Sequence, residues 1–259
     1  MTKQILITSL LLQILTFTAV TASYNNVTDE YVHHGNLVTI PSDIPRTARK
    51  VLLASNAIAD FDIFPILPLL VTLSLTNNRL SEFPDLSNVS DSLKLLFLGN
   101  NQIRSVDEAR LTALTALESL ILSGNLLTTI PDVRMPNLAT LFINRNEMMA
   151  TLPVLTLLGR TLISLKLGHP DLGLVSLESL KALPHLRTLS MERSGLSTLP
   201  NVVQANPLLA NLFLRDNNIH QLPDDLFTNL GNIFRVDLRD NDLQHLPDVC
   251  YIQRNPLSL

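Results

Sequence analysis

Apolar residues return along this chain at fixed places in an eleven-residue pattern. Positions one, four, six and eleven are apolar, position nine is usually Asn, and the pattern fits nine times between residues 48 and 243. All thirty-six apolar positions carry apolar residues, which random placement at the chain's apolar frequency of 46% would produce about once in 10^12. Successive ninth positions lie 21 to 24 residues apart, so the chain is built from a structural repeat.

Each repeat predicts one short β-strand, because positions four and six of an extended chain point to the same side. A single repeat cannot bury that apolar side alone. Stacked repeats pair their strands into a parallel sheet and join their aliphatic side chains into one continuous core.

Asparagine recurs at position nine, where leucine could not serve. Its short amide can satisfy backbone groups of its own turn and of the neighbouring turn, which predicts a ladder of structural side chains along the stack. The predicted ladder consists of Asn56, Asn78, Asn101, Asn125, Asn146, Asn217 and Asn241. Pro170 and Ser194 interrupt it in two consecutive repeats, and this interruption either shapes a binding surface or is tolerated variation.

The spacing and the asparagines resemble the leucine-rich repeats of extracellular proteins. The resemblance implies an α/β solenoid of horseshoe shape, with the parallel β-sheet on its concave face and a mostly extended or turn-like convex side. Apolar-Pro pairs after position eleven, such as Phe83-Pro84 and Ile130-Pro131, favour extended backbone there. A few short helices are expected, at 107–117 and 176–183, where apolar residues are spaced by three and four.

Residues 1–22 have the features of a signal peptide. Lys3 precedes an apolar stretch at 5–20, and Ala22 ends a Val-Thr-Ala sequence suited to signal peptidase. We expect cleavage before Ser23, since the alternative of an uncleaved anchor needs a longer and less polar stretch. No second apolar stretch of spanning length follows, so the mature chain as given is expected to be secreted and to lack a membrane span.

The rest of the chain divides into a capping segment at 23–47, nine repeats at 48–246 and a partial tenth repeat at 247–259. The segment 37–45 looks like the N-terminal cap of extracellular leucine-rich-repeat proteins, without the paired cysteines usual before it. The partial tenth repeat would place Cys250 in a core position and Leu257 at position eleven. Cys250 is then a buried inert thiol, or one half of a disulfide whose partner lies outside this chain.

Charge and composition exclude several classes of function. The formal net charge is −4 and no run of Lys or Arg occurs, so no nucleic-acid-binding surface is expected. Motifs for a nucleophile, a phosphate loop or a metal site are missing, so no catalytic site, metal or cofactor is predicted. Two glycosylation sequons, at Asn26 and Asn88, agree with a secretory route.

The open concave face is where a partner would bind, because core packing does not explain the residues at positions five and seven. An apolar zone followed there by a charged zone predicts a protein or peptide partner, since aromatic and Arg side chains dominate interface energetics. The predicted partner-binding residues are Phe97, Ile121, Phe142, Lys166, Glu192, Phe213, Arg215, Asp237 and Arg239. The alternative is that these residues only form stabilising cross-strand pairs.

The function predicted from the sequence is that of a secreted binding module for a protein or peptide. Two alternatives remain open. The chain could be the extracellular portion of a membrane receptor, possibly a receptor kinase, or it could be an inhibitor of a secreted hydrolase.

The expectation of secretion is tested by the intact mass of the endogenous protein, measured before and after deglycosylation. We expect a species in the extracellular fluid that begins at Ser23 and ends at Leu259, because the apolar stretch would be removed with the signal peptide. A larger, membrane-associated species would contradict a free secreted module and favour the receptor alternative.

Overall fold

Twelve short strands form one sheet in the part of the chain that the structure describes, and their order is that of the sequence. The computed structural model describes residues 23–149, 153–169, 180–181, 183–199, 206–223, 232–245 and 257–258. The strands are β1 (Ser23–Asn25), β2 (Glu30–Val32), β3 (Lys50–Leu52), β4 (Thr72–Ser74), β5 (Leu95–Phe97), β6 (Ser119–Ile121), β7 (Thr140–Phe142), β8 (Ser164–Leu167), β9 (Thr188–Met191), β10 (Asn211–Phe213), β11 (Arg235–Asp237) and β12 (Leu257–Ser258). The solenoid fold expected from the repeat is therefore confirmed.

Strands β3 to β11 belong to the nine repeats, and each begins at position three of its repeat. They pair in parallel with equivalent positions opposite each other, as in Leu73 beside Leu96 and Leu96 beside Leu120. Leu73, Leu96 and Leu120 are fully buried. Because every repeat adds the same buried residues at the same height, the core is one continuous stack of aliphatic side chains.

Asparagine at position nine joins each repeat to the one before it. The Asn101 amide nitrogen donates to the carbonyl oxygens of Leu75 and Leu98, at 2.9 and 3.0 Å, and its oxygen accepts from the Leu80 N–H at 3.1 Å. Leu75 and Leu80 belong to the preceding repeat, whereas Leu98 belongs to the same turn as Asn101. The same bonding pattern recurs at Asn56, Asn78, Asn125, Asn146 and Asn217, and Asn241 repeats it at the end of the ladder.

The structure corrects the sequence prediction at position eleven of the fifth repeat. Met148, assigned there from the pattern, is 58% exposed, and its neighbour Met149 is buried instead. In ordinary repeats the N–H at position eleven donates to the next asparagine, but the next ninth position here is Pro170, which has no side-chain acceptor. The Met149 N–H bonds to the Asn146 carbonyl oxygen at 3.0 Å, so the turn holds one extra residue.

Ser194 replaces the asparagine amide only in part. Its hydroxyl donates to the Glu192 carbonyl oxygen at 3.3 Å, which lies within its own turn. Asn217 bridges from the other side, since its amide oxygen accepts from the N–H groups of Ser194 and Leu196. The side-chain ladder is therefore continuous up to Asn146 and resumes at Asn217.

An antiparallel hairpin, β1 and β2, covers the first repeat. Tyr31 lies opposite Val51 and is buried, so it takes the place of a position-four side chain. Its hydroxyl donates to the Asp43 carboxylate at 2.9 Å, and burial together with this bond raises the pKa of Tyr31 to about 12. Asn56 extends the ladder into the cap, because its amide nitrogen donates to the His33 carbonyl oxygen at 3.0 Å.

The convex side is mostly extended or turn-like, as expected. One α-helix occurs in the described residues, α1 (Glu108–Ala113), inside the predicted helix at 107–117. The Asp107 carboxylate accepts from the Arg110 N–H at 2.8 Å and caps its first turn. Two 3-10 turns, Ser87–Val89 and Leu158–Arg160, lie in other convex segments. Most of the second predicted helix, at 176–183, and all of residues 1–22 lie outside the described residues.

The register of β12 differs from the partial tenth repeat predicted at 247–259. Leu257 pairs with Val236, a position-four residue, and therefore does not occupy position eleven. Val236 and Leu257 are 21 residues apart along the chain, which is a full repeat length. The predicted partial repeat has a spacing of only fourteen residues, which is too few to cross the convex side and return to the sheet. Cys250 lies outside the described residues.

Replacing Asn101 with Ala removes one donor group and one acceptor that serve three backbone groups. We expect the free energy of unfolding to fall by about 3 kcal/mol, because buried backbone groups left without partners are costly. Urea unfolding followed by circular dichroism measures the loss. Gln102→Ala is the matched control, since Gln102 is the exposed neighbour, and its expected change is about 0.5 kcal/mol or less. Equal losses in the two variants would contradict the ladder's role.

Candidate binding surface

The concave face consists of the side chains at positions three, five and seven, which point away from the core because side chains alternate along a strand. Position three belongs to this face by the same alternation, although the prediction from the sequence includes only positions five and seven. Two of the residues at position three lie beside predicted binding residues. Arg235 stacks on the Phe213 ring, with its guanidinium carbon 5.2 Å from the ring centroid. Asn211 donates to the Thr188 hydroxyl at 3.2 Å.

The apolar zone predicted on the first half of this face is largely covered. Phe97 and Ile121 lie side by side on β5 and β6 and are only 3% and 8% exposed. Their neighbours are also buried, since Ser74 and Ser119 are fully inaccessible. Adjacent strands lie about 4.8 Å apart, so large side chains in one row pack against each other and leave little surface for a partner. The expectation that Phe97 and Ile121 are open to a partner is therefore wrong.

Phe142 follows Ile121 in the row of position-five residues, and it is half-buried and therefore partly accessible. The Lys166 ammonium lies 4.7 Å from the centroid of its ring. With Phe213 and Arg235, the concave face thus carries two partly exposed aromatic rings, each with a cation above it. A cation over a ring is attracted by its π-electrons by about 0.5 to 1 kcal/mol when the pair is exposed.

The charged zone beyond β8 is a set of local ion pairs. The Arg193 guanidinium lies 2.9 Å from the Asp216 carboxylate, and that of Arg215 lies 2.8 Å from Asp240. Both pairs are well exposed, so each contributes little to stability, since exposed pairs are typically worth about 1 kcal/mol or less. The pairs do hold the two arginine side chains over the concave rim.

Asp237 is the one buried carboxylate of the predicted binding residues that the structure describes. Its two oxygens accept from Arg239, with a distance of 2.9 Å from Nε to Oδ1. These hydrogen bonds lower the pKa of Asp237 in spite of its burial, which acts in the opposite direction. Arg239 is exposed, so Asp237 fixes the direction in which the Arg239 guanidinium faces the solvent.

An open depression of about 390 Å³ lies where the asparagine ladder is interrupted. Gly168, at position seven, forms part of its floor, and a Cβ there would lie 2.8 Å from the Glu192 carbonyl oxygen. Arg145 and Arg193 at its rim both have positive φ, of 58° and 55°, a conformation costly for such residues. The remaining lining residues are Asn144, Glu147, Glu192, Arg215 and Asp216. Equal numbers of basic and acidic side chains surround the depression.

The two predicted glycosylation sites differ in accessibility. Asn26 lies in the exposed turn between β1 and β2. Asn88 is half-buried, and its amide nitrogen donates to the Phe64 carbonyl oxygen at 2.9 Å. Because a glycan is attached at that nitrogen, Asn26 is the better placed acceptor of the two.

The described residues contain no group of three or more His, Cys, Asp and Glu side chains that could hold a metal ion. Among them there is also no helix with the length and apolar character needed to cross a membrane.

Comparison with known proteins agrees with the repeat architecture. Residues 49–127 match the family model described as leucine rich repeat. The chain is 31% identical over 200 residues to human "Leucine-rich repeats and immunoglobulin-like domains protein 1", covering 76% of this chain and 16% of that protein. It is 29% identical over 163 residues to Drosophila melanogaster chaoptin, covering 61% and 12%, and 28% identical over 242 residues to mouse podocan-like protein 1, covering 79% and 42%. The chain thus spans less than half the length of these relatives.

Solved structures show the same fold. A chain from an octameric complex of Latrophilin 3, Unc5D and FLRT2 superposes with a TM-score of 0.61 at 21% identity, covering 93% of this chain and 83% of that one. YopM from Yersinia enterocolitica superposes with a TM-score of 0.58 at 26% identity, covering 88% and 47%.

Replacing Asp237 with Asn tests the pair on β11. The folded-state pKa of Asp237 lies below its unfolded value, so its stabilisation is present above about pH 4 and is lost as the pH falls through the folded-state pKa. We expect Asp237→Asn to lower the free energy of unfolding by about 1 kcal/mol at pH 7, since Arg239 is exposed to solvent. The difference from the natural chain should shrink below pH 4, as measured by urea unfolding at several pH values.

Asp240→Asn is the control for this measurement, because Asp240 forms an exposed pair with Arg215 and should contribute little. A loss for Asp237→Asn that is the same at pH 3 and pH 7 would show that the carboxylate charge does not stabilise the fold.

Proposed function

The chain is a leucine-rich-repeat protein, and from that premise we propose that it is a secreted module that binds a protein or peptide through the second half of its concave face. The observation that carries this proposal is the pair of partly exposed aromatic rings, Phe142 and Phe213, each with a cation above it. Aromatic and arginine side chains are the residue types that contribute most when a partner buries them.

The size of this surface suits an extended segment of a partner. It reaches from β7 to β11, and five strands about 4.8 Å apart cover about 19 Å between the outer two. An extended peptide advances about 3.3 Å per residue, so about six residues would cross all five strands. Phe142 and Phe213 lie three strands apart and would contact different residues of the same segment.

The predicted binding residues take different roles in this proposal. Phe142, Lys166 and Phe213 provide the contact area that a partner would bury. Arg215 and Arg239 offer guanidinium groups already oriented by Asp240 and Asp237, so less conformational entropy is lost when a partner binds. Glu192 adds an acidic group at the depression beside the ladder interruption. Phe97 and Ile121 are buried on the earlier strands β5 and β6 and do not belong to the proposed contact surface.

Secretion is proposed from the N-terminal sequence. The apolar stretch at 5–20 and the Val-Thr-Ala sequence before Ser23 have the order of a signal peptide. Asn26 supports the same route, since its sequon lies in an exposed turn where the glycosylation machinery could reach it.

A double replacement, Phe142→Ser with Phe213→Ser, tests the concave surface. A binding partner is first captured from extracellular fluid of the native source on the immobilised chain, then purified and titrated by calorimetry. We expect the double variant to bind this partner at least tenfold more weakly, about 1.4 kcal/mol, because two aromatic contacts are lost.

Ile66→Ser is the control, since Ile66 is 54% exposed and lies outside the concave rows. Its dissociation constant should match that of the natural chain. Unchanged affinity in the double variant, with a normal thermal midpoint, would show that the partner binds elsewhere.

A further inference from the structure

A second surface depression lies at the edge where the chain enters strands β7, β8 and β9. We call it the basic edge groove, and it is formed by Arg160, His185 and Arg187 together with Ala139, Ile163 and Leu208. Its volume is about 470 Å³. It lies at the opposite end of the strands from the depression beside the ladder interruption, which is lined by residues that follow the strands.

The charge of the basic edge groove differs from that of the concave rim. Three basic residues line it and no carboxylate does, although the whole chain has a formal net charge of −4. Within the described residues, neither Arg160 nor Arg187 forms an ion pair, whereas Arg193, Arg215 and Arg239 each contact an aspartate. The two edge arginines are exposed and keep their guanidinium groups available for an external anion.

The backbone around the groove holds these groups in place. The Arg187 N–H donates to the Ile163 carbonyl oxygen at 2.8 Å, and the Arg187 carbonyl oxygen accepts from Ala210 and Asn211. Arg160 ends the 3-10 turn Leu158–Arg160, and the hydroxyl of the next residue, Thr161, donates to the Met135 carbonyl oxygen at 3.2 Å. The arginines thus project from fixed positions in the segments that lead into the neighbouring strands β8 and β9.

Part of the lining of the groove is apolar. Ala139, Ile163 and Leu208 are half-buried, so each keeps part of its side chain in contact with solvent. A ligand that covered them would remove apolar surface from water, at about 25 cal/mol for each Å². A matching ligand therefore needs aliphatic groups as well as negative charge.

From these observations we propose that the basic edge groove binds an acidic segment of a partner protein, in which Asp or Glu residues are interspersed with aliphatic residues. Planar carboxylates match the two-pronged guanidinium groups of Arg160 and Arg187. A sulfated glycan would satisfy the arginines but would leave Ala139, Ile163 and Leu208 without apolar contact. The proposal concerns a surface separate from the concave rows and does not depend on the concave interface proposed above.

A fluorescein-labelled peptide of alternating Leu and Glu residues serves as the probe, and the same peptide with Gln in place of Glu is its neutral counterpart. Fluorescence anisotropy measures binding to the full chain. We expect the Glu peptide to bind at least tenfold more tightly than the Gln peptide, and its affinity to fall as salt is added, because screening weakens contacts between exposed charges. Equal affinity for the two peptides would overturn the proposal.

The double variant Arg160→Gln with Arg187→Gln locates the site. It should bind the Glu peptide at least tenfold more weakly than the natural chain does. The matched control is Arg79→Gln with Arg134→Gln, since both arginines are exposed and lie outside the groove. Unchanged binding in the edge variant, or an equal loss in the control, would overturn the proposal.

Two further measurements separate this site from its rivals. The first is whether a heparin-derived hexasaccharide displaces the peptide, and whether Ile163→Ser changes the binding of the hexasaccharide itself. Displacement with unchanged binding to Ile163→Ser would identify the ligand as a sulfated glycan and overturn the proposal. The concave variant Phe142→Ser with Phe213→Ser should bind the Glu peptide normally. Loss of peptide binding in that variant alone would show that the peptide binds the concave face. The proposal for the basic edge groove would then be rejected, and the proposal for the concave face would stand.

Discussion

The hydrogen bonds of the asparagine at position nine, which seven of the nine repeats carry, are the constraint on which most of this structure depends. Every repeat turns sharply after its strand, and the backbone groups exposed by that turn are buried by the next repeat. The Asn101 amide satisfies two carbonyl oxygens and one N–H in two neighbouring turns at once. These bonds hold one repeat at a set height on the next, together with the backbone pairing of the strands.

The region where this constraint is relaxed is also the region of unusual geometry. Pro170 offers no acceptor, and the fifth repeat responds with an extra residue that exposes Met148 and buries Met149. Ser194 bonds within its own turn, and Asn217 carries the connection from the next repeat. The depression floored by Gly168 lies at this interruption. Loss of two amides in succession thus changes local shape, while strand pairing continues unbroken from β7 to β10.

The concave face changes character along the stack for a related reason. In its first half, small polar residues and large apolar ones share a row and cover each other, so Ser74, Phe97 and Ile121 are all buried. In its second half, long charged side chains extend over the aromatic rings and past the rim, and most of them pair with a neighbour. Lys166 and Arg235 are paired with rings, which leaves their charges able to meet a partner's carboxylates. The two partly exposed rings therefore lie in the half of the face that also carries the cations above them.

The sequence by itself determined the repeat, the nine strands, most of the buried positions and the asparagines that join the repeats. It could do so because each of these depends on contacts that recur at a fixed spacing along the chain. Only the tertiary structure decided which concave residues are exposed, as with Phe97 against Phe142, and that Leu257 pairs with Val236. It alone placed Arg160 and Arg187 in the lining of one groove, since this depends on how the segments before β8 and β9 pack, which no periodic pattern records.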